Sequence, residues 1–214
     1  MQEVVGSIPI SSTICDGPAG EFMSIRVQSG TARGRAIKSL PVGLEVRPIL
    51  ARIRKSLFDI LRPRLAESRF LDLFAGTGTV GIEALSNGAS FASFVDASPS
   101  SCRMIEKNLS ELGFTGRSRV FQSDVVQQLP VLAVGVFDII FMGPPYKDEA
   151  KNPLALTVPG LHAVHKAGAA TPDTLVIAQH HKKEPITDLP MGWSIVREKN
   201  YGDSVLTFFR WAGL

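Results

Sequence analysis

With 214 residues, 44% of them hydrophobic and 20% charged, the chain has room for one domain, or one domain with a short appendage, and is neither disordered nor collagen-like. Its apolar runs, such as that around Val131–Val136, are too short and punctuated to cross a bilayer, and no basic stretch followed by an apolar core marks a secretory signal. The net charge of +3 is concentrated: residues 1–23 hold three acids and no base, residues 24–64 hold ten bases against Glu45 and Asp59, and the remainder is near neutral.

A basic segment on a near-neutral body points to a polyanionic partner, most often nucleic acid, with a solvated face as the plain alternative. Residues 1–23 lack hydrophobic periodicity and read as a mobile tail. From Ser24 to Gln28 polar and apolar residues alternate, Gly30 and Gly34 punctuate a turn, and Arg35–Leu40 alternates again, which predicts a hairpin with an arginine-bearing tip. After a loop over Pro41–Pro48, the helical spacing of Ile49, Ile53, Leu57, Phe58 and Leu61 predicts an amphipathic helix. Its outer surface is basic, and Pro63 is expected to stop it. Residues 24–66 thus form a basic extension, and residues 67–214 the main domain.

Beyond Leu65 strands alternate with helices. Strands are predicted at Arg69–Phe74, Phe91–Asp96, Arg119–Gln122, Phe137–Met142 and Thr174–Gln179, and helices at Val80–Ser86 and Ser101–Leu112, with a short one after Asp124 and a helix-and-loop region over Pro153–Lys166. Trp193–Lys199 and Ser204–Trp211, around Tyr201-Gly202-Asp203, predict a closing hairpin. Repeated strand–helix units predict an α/β fold with a doubly wound, mainly parallel sheet.

In such a sheet, ligands bind at the carboxyl ends of the strands. The first strand runs into Phe74-Ala75-Gly76-Thr77-Gly78-Thr79-Val80-Gly81, whose glycines allow a tight turn, close ligand approach and close helix packing. The same spacing could serve a purely structural turn; its place after a strand and before a helix raises its value. Asp96 closes the second strand, where an acid can accept from both hydroxyls of a ribose or cap a helix. Asp124 ends the third strand, where a carboxylate can accept from an adenine amine, cap the next helix, or do both. The fourth strand ends in Gly143-Pro144-Pro145-Tyr146. Proline has no N–H, so carbonyls in this rigid corner can accept from an exocyclic amine, and Tyr146 can stack on a base. A structural Pro-Pro turn is the alternative.

Leu71–Gly81, Asp96, Asp124 and Pro144-Pro145-Tyr146 together resemble the class I S-adenosylmethionine-dependent methyltransferases of the amino-methylating kind. The opening Ile25–Arg35, Val46-Arg47-Pro48, Arg54–Leu61 and Tyr201-Gly202-Asp203 narrow the likeness to the bacterial 16S rRNA guanine-N2 methyltransferase family, over roughly residues 24–211. The resemblance implies a Rossmann-like, seven-stranded sheet whose last strand is antiparallel, and methyl transfer to the exocyclic N2 of a guanine in small-subunit rRNA. It also implies that Asp72 and Phe74–Gly78 hold the methionine part of S-adenosylmethionine, Asp96 with Ala97 the ribose, and Asp124 with Val125 the adenine. Arg47 and Pro48 would lie over the cofactor. Gly143, Pro144, Pro145 and Tyr146 would receive the guanine. The concentrated basic charge of residues 24–64, by itself, makes Arg33, Arg35, Lys38, Arg52, Arg54 and Lys55 the residues expected to track the phosphates of the small-subunit RNA. Family members usually carry Asp or Asn where this chain has Gly143, so one side-chain acceptor is missing.

Two rivals stand beside that reading. One is a non-catalytic RNA-binding or ribosome-assembly protein, suggested by Gly143; the other is an NAD-dependent oxidoreductase built on the glycine turn, against which the Pro-Pro-Tyr corner argues. Cys15 and Cys102 read as free thiols in a reducing cytosol, so the protein is expected to be cytoplasmic, and it is expected to be a monomer. With no Cys or acid set at ligand spacing, His162, His165, His180 and His181 predict no metal site.

Overall fold

The structure, a computed structural model, describes residues 25–39, 49–132, 135–148 and 150–213. The tail expected over residues 1–23 lies outside the described residues, as do Arg47 and Pro48. A minimal hairpin, β1 (Ile25–Arg26) with β2 (Ala36–Ile37), leads to α1 (Ala51–Leu65). The sheet is then laid down by β3 (Arg69–Leu73), β4 (Phe91–Asp96), β5 (Ser118–Gln122), β6 (Ile139–Met142), β7 (Leu175–His181), β8 (Trp193–Tyr201) and β9 (Ser204–Trp211). Between them run α2 (Thr79–Ser86), α3 (Pro99–Leu112), α4 (Val125–Gln128) and α5 (Thr157–Lys166).

The strand order is β5-β4-β3-β6-β7-β9-β8. Strands β3 to β7 are parallel to their neighbours, and β9 is antiparallel to both β7 and β8. This is the seven-stranded arrangement with an antiparallel final strand that the resemblance implies. The chain steps outward from β3 to β5, then returns to place β6 on the other side of β3. Strand order therefore reverses between β3 and β6, which opens a crevice at their carboxyl ends.

The two faces of the sheet carry separate cores, because successive strand residues point to opposite sides. Phe70, Phe94, Phe141 and Phe208 pack with α1, α2 and α3. Leu71, Leu73, Ile140 and Met142 pack with α4 and α5. Fully burying one such side chain stabilises by roughly 1.5–3 kcal/mol. No helix among the described residues is long and apolar enough to cross a membrane.

Three features differ from the sequence reading. Helix α1 does not stop at Pro63 but runs on to Leu65. Pro63 sits on the solvent face, while Leu61 and Leu65, one turn apart, are both buried; their packing outweighs the backbone hydrogen bond that proline cannot make. Helix α3 begins at Pro99 rather than Ser101, because Ser98 caps it through the Ser101 N–H and proline suits the first helical position. The N-terminal hairpin pairs only two residues per strand, and its tip is held instead by α2. The Thr31 N–H donates to the Ser86 carbonyl at 2.8 Å, the Ala32 N–H to Ser86 Oγ at 2.9 Å, and that hydroxyl to the Ser29 carbonyl at 2.6 Å.

This docking requires glycine at position 30. Its φ is +80°, and a Cβ there would lie 1.8 Å from the Ser86 carbonyl oxygen, a backbone atom that cannot swing away. Gly30→Ala is expected to cost about 1–3 kcal/mol through overpacking, lowering the thermal midpoint by several degrees in a calorimetric scan.

Candidate cofactor and substrate site

Four parallel strands, β5, β4, β3 and β6, end side by side, so their carboxyl tips span about 14 Å at the usual strand spacing. The β3 tip turns sharply through left-handed backbone at Phe74 (φ 58°), Gly76 (57°) and Gly78 (73°). At a phenylalanine this conformation costs on the order of 1–3 kcal/mol and is kept only where the surroundings enforce it. Here the Ala75 N–H donates to the Val95 carbonyl at 3.1 Å, the Gly78 N–H to the Ala75 carbonyl at 2.8 Å, and the Phe74 ring packs into the α4–α5 core. The third glycine, Gly81, brings α2 hard against the sheet, since a Cβ there would lie 2.3 Å from the Phe94 ring.

Asp72 lies below this turn and is 1% exposed. Its Oδ2 accepts the Gly81 N–H at 2.8 Å, so it organises the turn from inside. Burial pushes its carboxyl up to about 8 from an ordinary 3.8, against the opposing Gly81 hydrogen bond and with a further push from the Asp96 charge. Between those values the folded chain holds a proton that the unfolded chain has released. Stability from this group is therefore greatest below the unfolded value and is lost as pH rises through about 8. Asp72→Asn keeps an oxygen for Gly81 and is expected to flatten that loss, measured as the thermal midpoint across the neutral to mildly alkaline range.

Asp96, half-buried at the β4 tip, ties two segments together. Its Oδ2 accepts the Gly76 N–H at 2.7 Å and its Oδ1 the Ser98 N–H at 2.9 Å. A carboxylate can accept about four hydrogen bonds, so each oxygen keeps capacity for a hydroxyl. Ala97 beside it is exposed. At the β5 tip Asp124 caps α4 through the Gln127 N–H at 2.7 Å, leaving its second oxygen open, while Val125 is buried.

The Gly143 N–H at the β6 tip donates to the Leu73 carbonyl at 3.2 Å, which locks the Pro-Pro corner beside the glycine turn. Pro144 is buried, Pro145 exposed and Tyr146 half-buried. The Tyr146 hydroxyl receives the Gln179 amide at 2.9 Å and donates to Ser204 Oγ at 3.2 Å. His181 meets its ring edge-on at 5.9 Å between centroids. The corner is thus anchored to β7 and to the start of β9.

The basic residues fare unequally. Arg33 and Arg52 are exposed. Arg35 donates to the carbonyls of Glu111 and Leu112 at the end of α3, and Lys38 pairs with Glu111. Lys55 shares Asp59 with Arg62. Arg54 corrects the expectation of an RNA contact: it is 2% exposed, its Nε lies 3.6 Å from the buried Glu83, and its Nη2 donates to the Arg26 carbonyl. Burial lowers its affinity for the proton, and the Glu83 charge partly restores it. Arg54 faces inward because it shares the apolar side of α1 with Leu57, Phe58 and Leu61.

Asn108 escapes the motif reading, yet its amide accepts the Lys38 N–H and donates to the carbonyls of Lys38 and Thr77. It couples the basic hairpin to the glycine turn. Its signal was a polar residue in phase with Ile105 and Leu112 on the buried face of a helix. Gln179 and Ser204 carried no such signal, since only strand pairing brings them to Tyr146. The histidines do not converge: His162 bonds the Asp188 carbonyl, His165 lies among Trp193 and Trp211, and His180 bonds Thr207. Burial pushes the Cys102 thiol up to about 11, so it stays protonated and inert.

Comparison with known proteins adds lineage to this geometry. A family model described as conserved hypothetical protein 95 matches residues 25–210. The ribosomal RNA small subunit methyltransferase D of Escherichia coli K12 is 29% identical over 178 residues, covering 83% of this chain and 85% of its own. The solved structure of a hypothetical protein from Thermus thermophilus is 34% identical with a TM-score of 0.67, covering 86% of this chain and 98% of that one. An RNA methyltransferase from Salinibacter ruber, solved with S-adenosylhomocysteine, shares the fold at TM-score 0.56 and 15% identity, covering 76% of this chain and 92% of that one.

Proposed function

Given that the chain belongs to the conserved hypothetical protein 95 family, we propose that it is an S-adenosylmethionine-dependent rRNA methyltransferase whose acceptor is the exocyclic N2 of a guanine in the small subunit. One observation carries the reading: the Gly143–Tyr146 corner is hydrogen-bonded directly to the end of β3, next to a turn and carboxylates suited to an adenosyl ligand. The residues fit that ligand. Asp96 has acceptor capacity for two ribose hydroxyls, Asp124 has an open oxygen, and the backbone of Phe74–Gly78 bends away to make room.

The bound cofactor supplies an activated methyl group on a sulfonium. The chain's own residues then have a positioning task, because a nucleophile held in line and close to its target gains most of the acceleration from lost freedom. Tyr146, its hydroxyl pinned by Gln179 and Ser204, presents its ring for the guanine to stack on. The carbonyls of Gly143 and Pro144 would accept from the amine N–H bonds, drawing its lone pair out of the ring system. As the N–C bond forms, the sulfonium–methyl bond would break to release a neutral thioether, and the surplus amine proton would leave to water. Arg33, Arg35, Lys38, Arg52 and Lys55 supply a basic flank for the RNA backbone.

Mass mapping of methylated nucleotides, after treating unmodified small subunits with the protein and labelled cofactor, tests this reading. A single labelled guanine is the expected result. Gly143 favours a second reading, a binding protein without turnover, and one variant separates the two. Gly143 does not need a positive φ, and a Cβ there would meet only the edge of the Phe141 ring at 3.1 Å. Gly143→Asn is therefore expected to fold and to raise turnover on the order of tenfold by adding an acceptor. Turnover absent in the parent and present in the variant would establish the second reading.

A further inference from the structure

The seam between α1 and the β8–β9 hairpin holds a recess of about 340 Å³ lined by Ile60, Leu175, Val196, Arg197, Phe208 and Arg210. Strand β8 is the outer edge of the sheet, and its register slips at Val196: Ile195 pairs with Phe209, while Arg197 pairs with Phe208. The extra residue is a bulge, and a bulge re-aims side chains. It brings both Val196, 51% exposed, and Arg197 to the recess.

We propose that this recess is a second RNA-contacting surface, in which the guanidinium groups of Arg197 and Arg210 take backbone phosphates of the strand whose target base lies at Tyr146. The proposal rests on the RNA reading of the methyl-transfer site. Its physical basis is two cations in one recess whose lining holds no acid. Lys38, Lys55, Arg62 and Lys182 each have a carboxylate within salt-bridge distance. Among the described residues, no acid lies within that distance of Arg197 or Arg210. Two like charges that share a recess with no acid repel each other, and a polyanion relieves that repulsion. The floor suits RNA as well. Arg197 already lies 5.8 Å over the Phe208 ring, and guanidinium planes combine phosphate pairing with stacking.

The recess also lies along the course of the strand. Ser204, bonded to Tyr146, opens β9; Phe208 and Arg210 follow it by roughly 14 and 20 Å at about 3.4 Å per residue. Lys199, which pairs with Leu206 and bonds Ser56, lies between them, and Arg52 lies near Gly202 in the hairpin turn just before Ser204. These four cations make a track leading away from the Pro-Pro corner. A protein partner that added a strand to β8 would use the backbone edge and would have no need of Arg210 on the inner strand.

The test is salt-dependent binding of a labelled single-stranded RNA oligonucleotide to the full chain and to the Arg197→Gln/Arg210→Gln double variant. Glutamine keeps a methylene stem over the apolar floor, so the chain should stay folded and its S-adenosylmethionine affinity should stay unchanged. Losing two phosphate contacts should reduce the log–log salt slope by about 1.4 and the affinity by roughly twentyfold in 0.1 M salt. Arg197→Lys/Arg210→Lys should keep the slope. An unchanged slope in the glutamine variant, with the parent binding steeply, overturns the proposal and leaves the RNA reading standing. So does unchanged RNA affinity combined with lost methylation of assembled subunits, which would assign the recess to a protein partner. A parent that binds no RNA at any salt overturns the RNA reading, and the recess proposal with it.

Discussion

Replacing Asp96 by alanine is expected to weaken S-adenosylmethionine binding by about a hundredfold or more while the chain stays folded. Two contributions combine. In the proposed role the carboxylate accepts both ribose hydroxyls, and a hydrogen bond to a charged group contributes about 1.5–3 kcal/mol. It also holds the Gly76 N–H at 2.7 Å, so its removal frees the glycine turn that has to be in place before a ligand arrives. Asp96→Asn keeps one acceptor and should fall between parent and alanine variant. Calorimetric titration with the cofactor, alongside thermal unfolding, measures both effects. Unchanged affinity in a folded Asp96→Ala protein would remove this residue from the site.

The largest expected loss of stability comes from Glu83, which is wholly buried in α2. Its carboxylate accepts the N–H groups of Gln28 and Ser29 and the Ser29 hydroxyl, all within 3.0 Å, and it faces the buried Arg54. Glu83→Ala would leave a buried guanidinium without its counter-charge, and breaking such a pair costs about 3–5 kcal/mol. Removing both charges together, as Arg54→Met/Glu83→Leu, should cost less than Glu83→Ala alone, because no unpaired charge then remains. Urea unfolding of the three proteins checks this. A double variant as unstable as Glu83→Ala, or more so, would show that Glu83 acts chiefly through the hairpin backbone rather than through the Arg54 charge. Arg54 already has two buried nitrogens with no hydrogen-bond partner, so the pair is a costly feature retained at the junction of hairpin, α1 and α2.

The strands of the main domain were legible because each is a short apolar run bounded by glycine, proline or a strand-end acid. Phe91–Asp96 and Ser204–Trp211 were read to the residue. The closing hairpin was equally plain from the turn at Tyr201-Gly202-Asp203. Legibility failed where a residue's local chemistry and its tertiary neighbours disagree. Pro63 reads as a helix stop, yet Leu65 pulls the last turn into the core. Arg54 reads as one more surface cation, yet its position on the apolar face of α1 requires a buried acid, and that acid lies 29 residues further on.

What the sequence by itself determined is the class of the fold and the chemistry available at each strand tip. Periodicity, glycine spacing and strand-end acids are local properties, and a parallel sheet with right-handed crossovers admits few ways of joining them. What only the tertiary structure decided is which polar groups meet. The docking of the hairpin on Ser86, the clamp of Asn108 between Lys38 and Thr77, and the hold of Gln179 and Ser204 on Tyr146 all join residues that strand order and register bring together. Those pairings depend on burial around a shared core, a cooperative property of the whole chain that no local window contains.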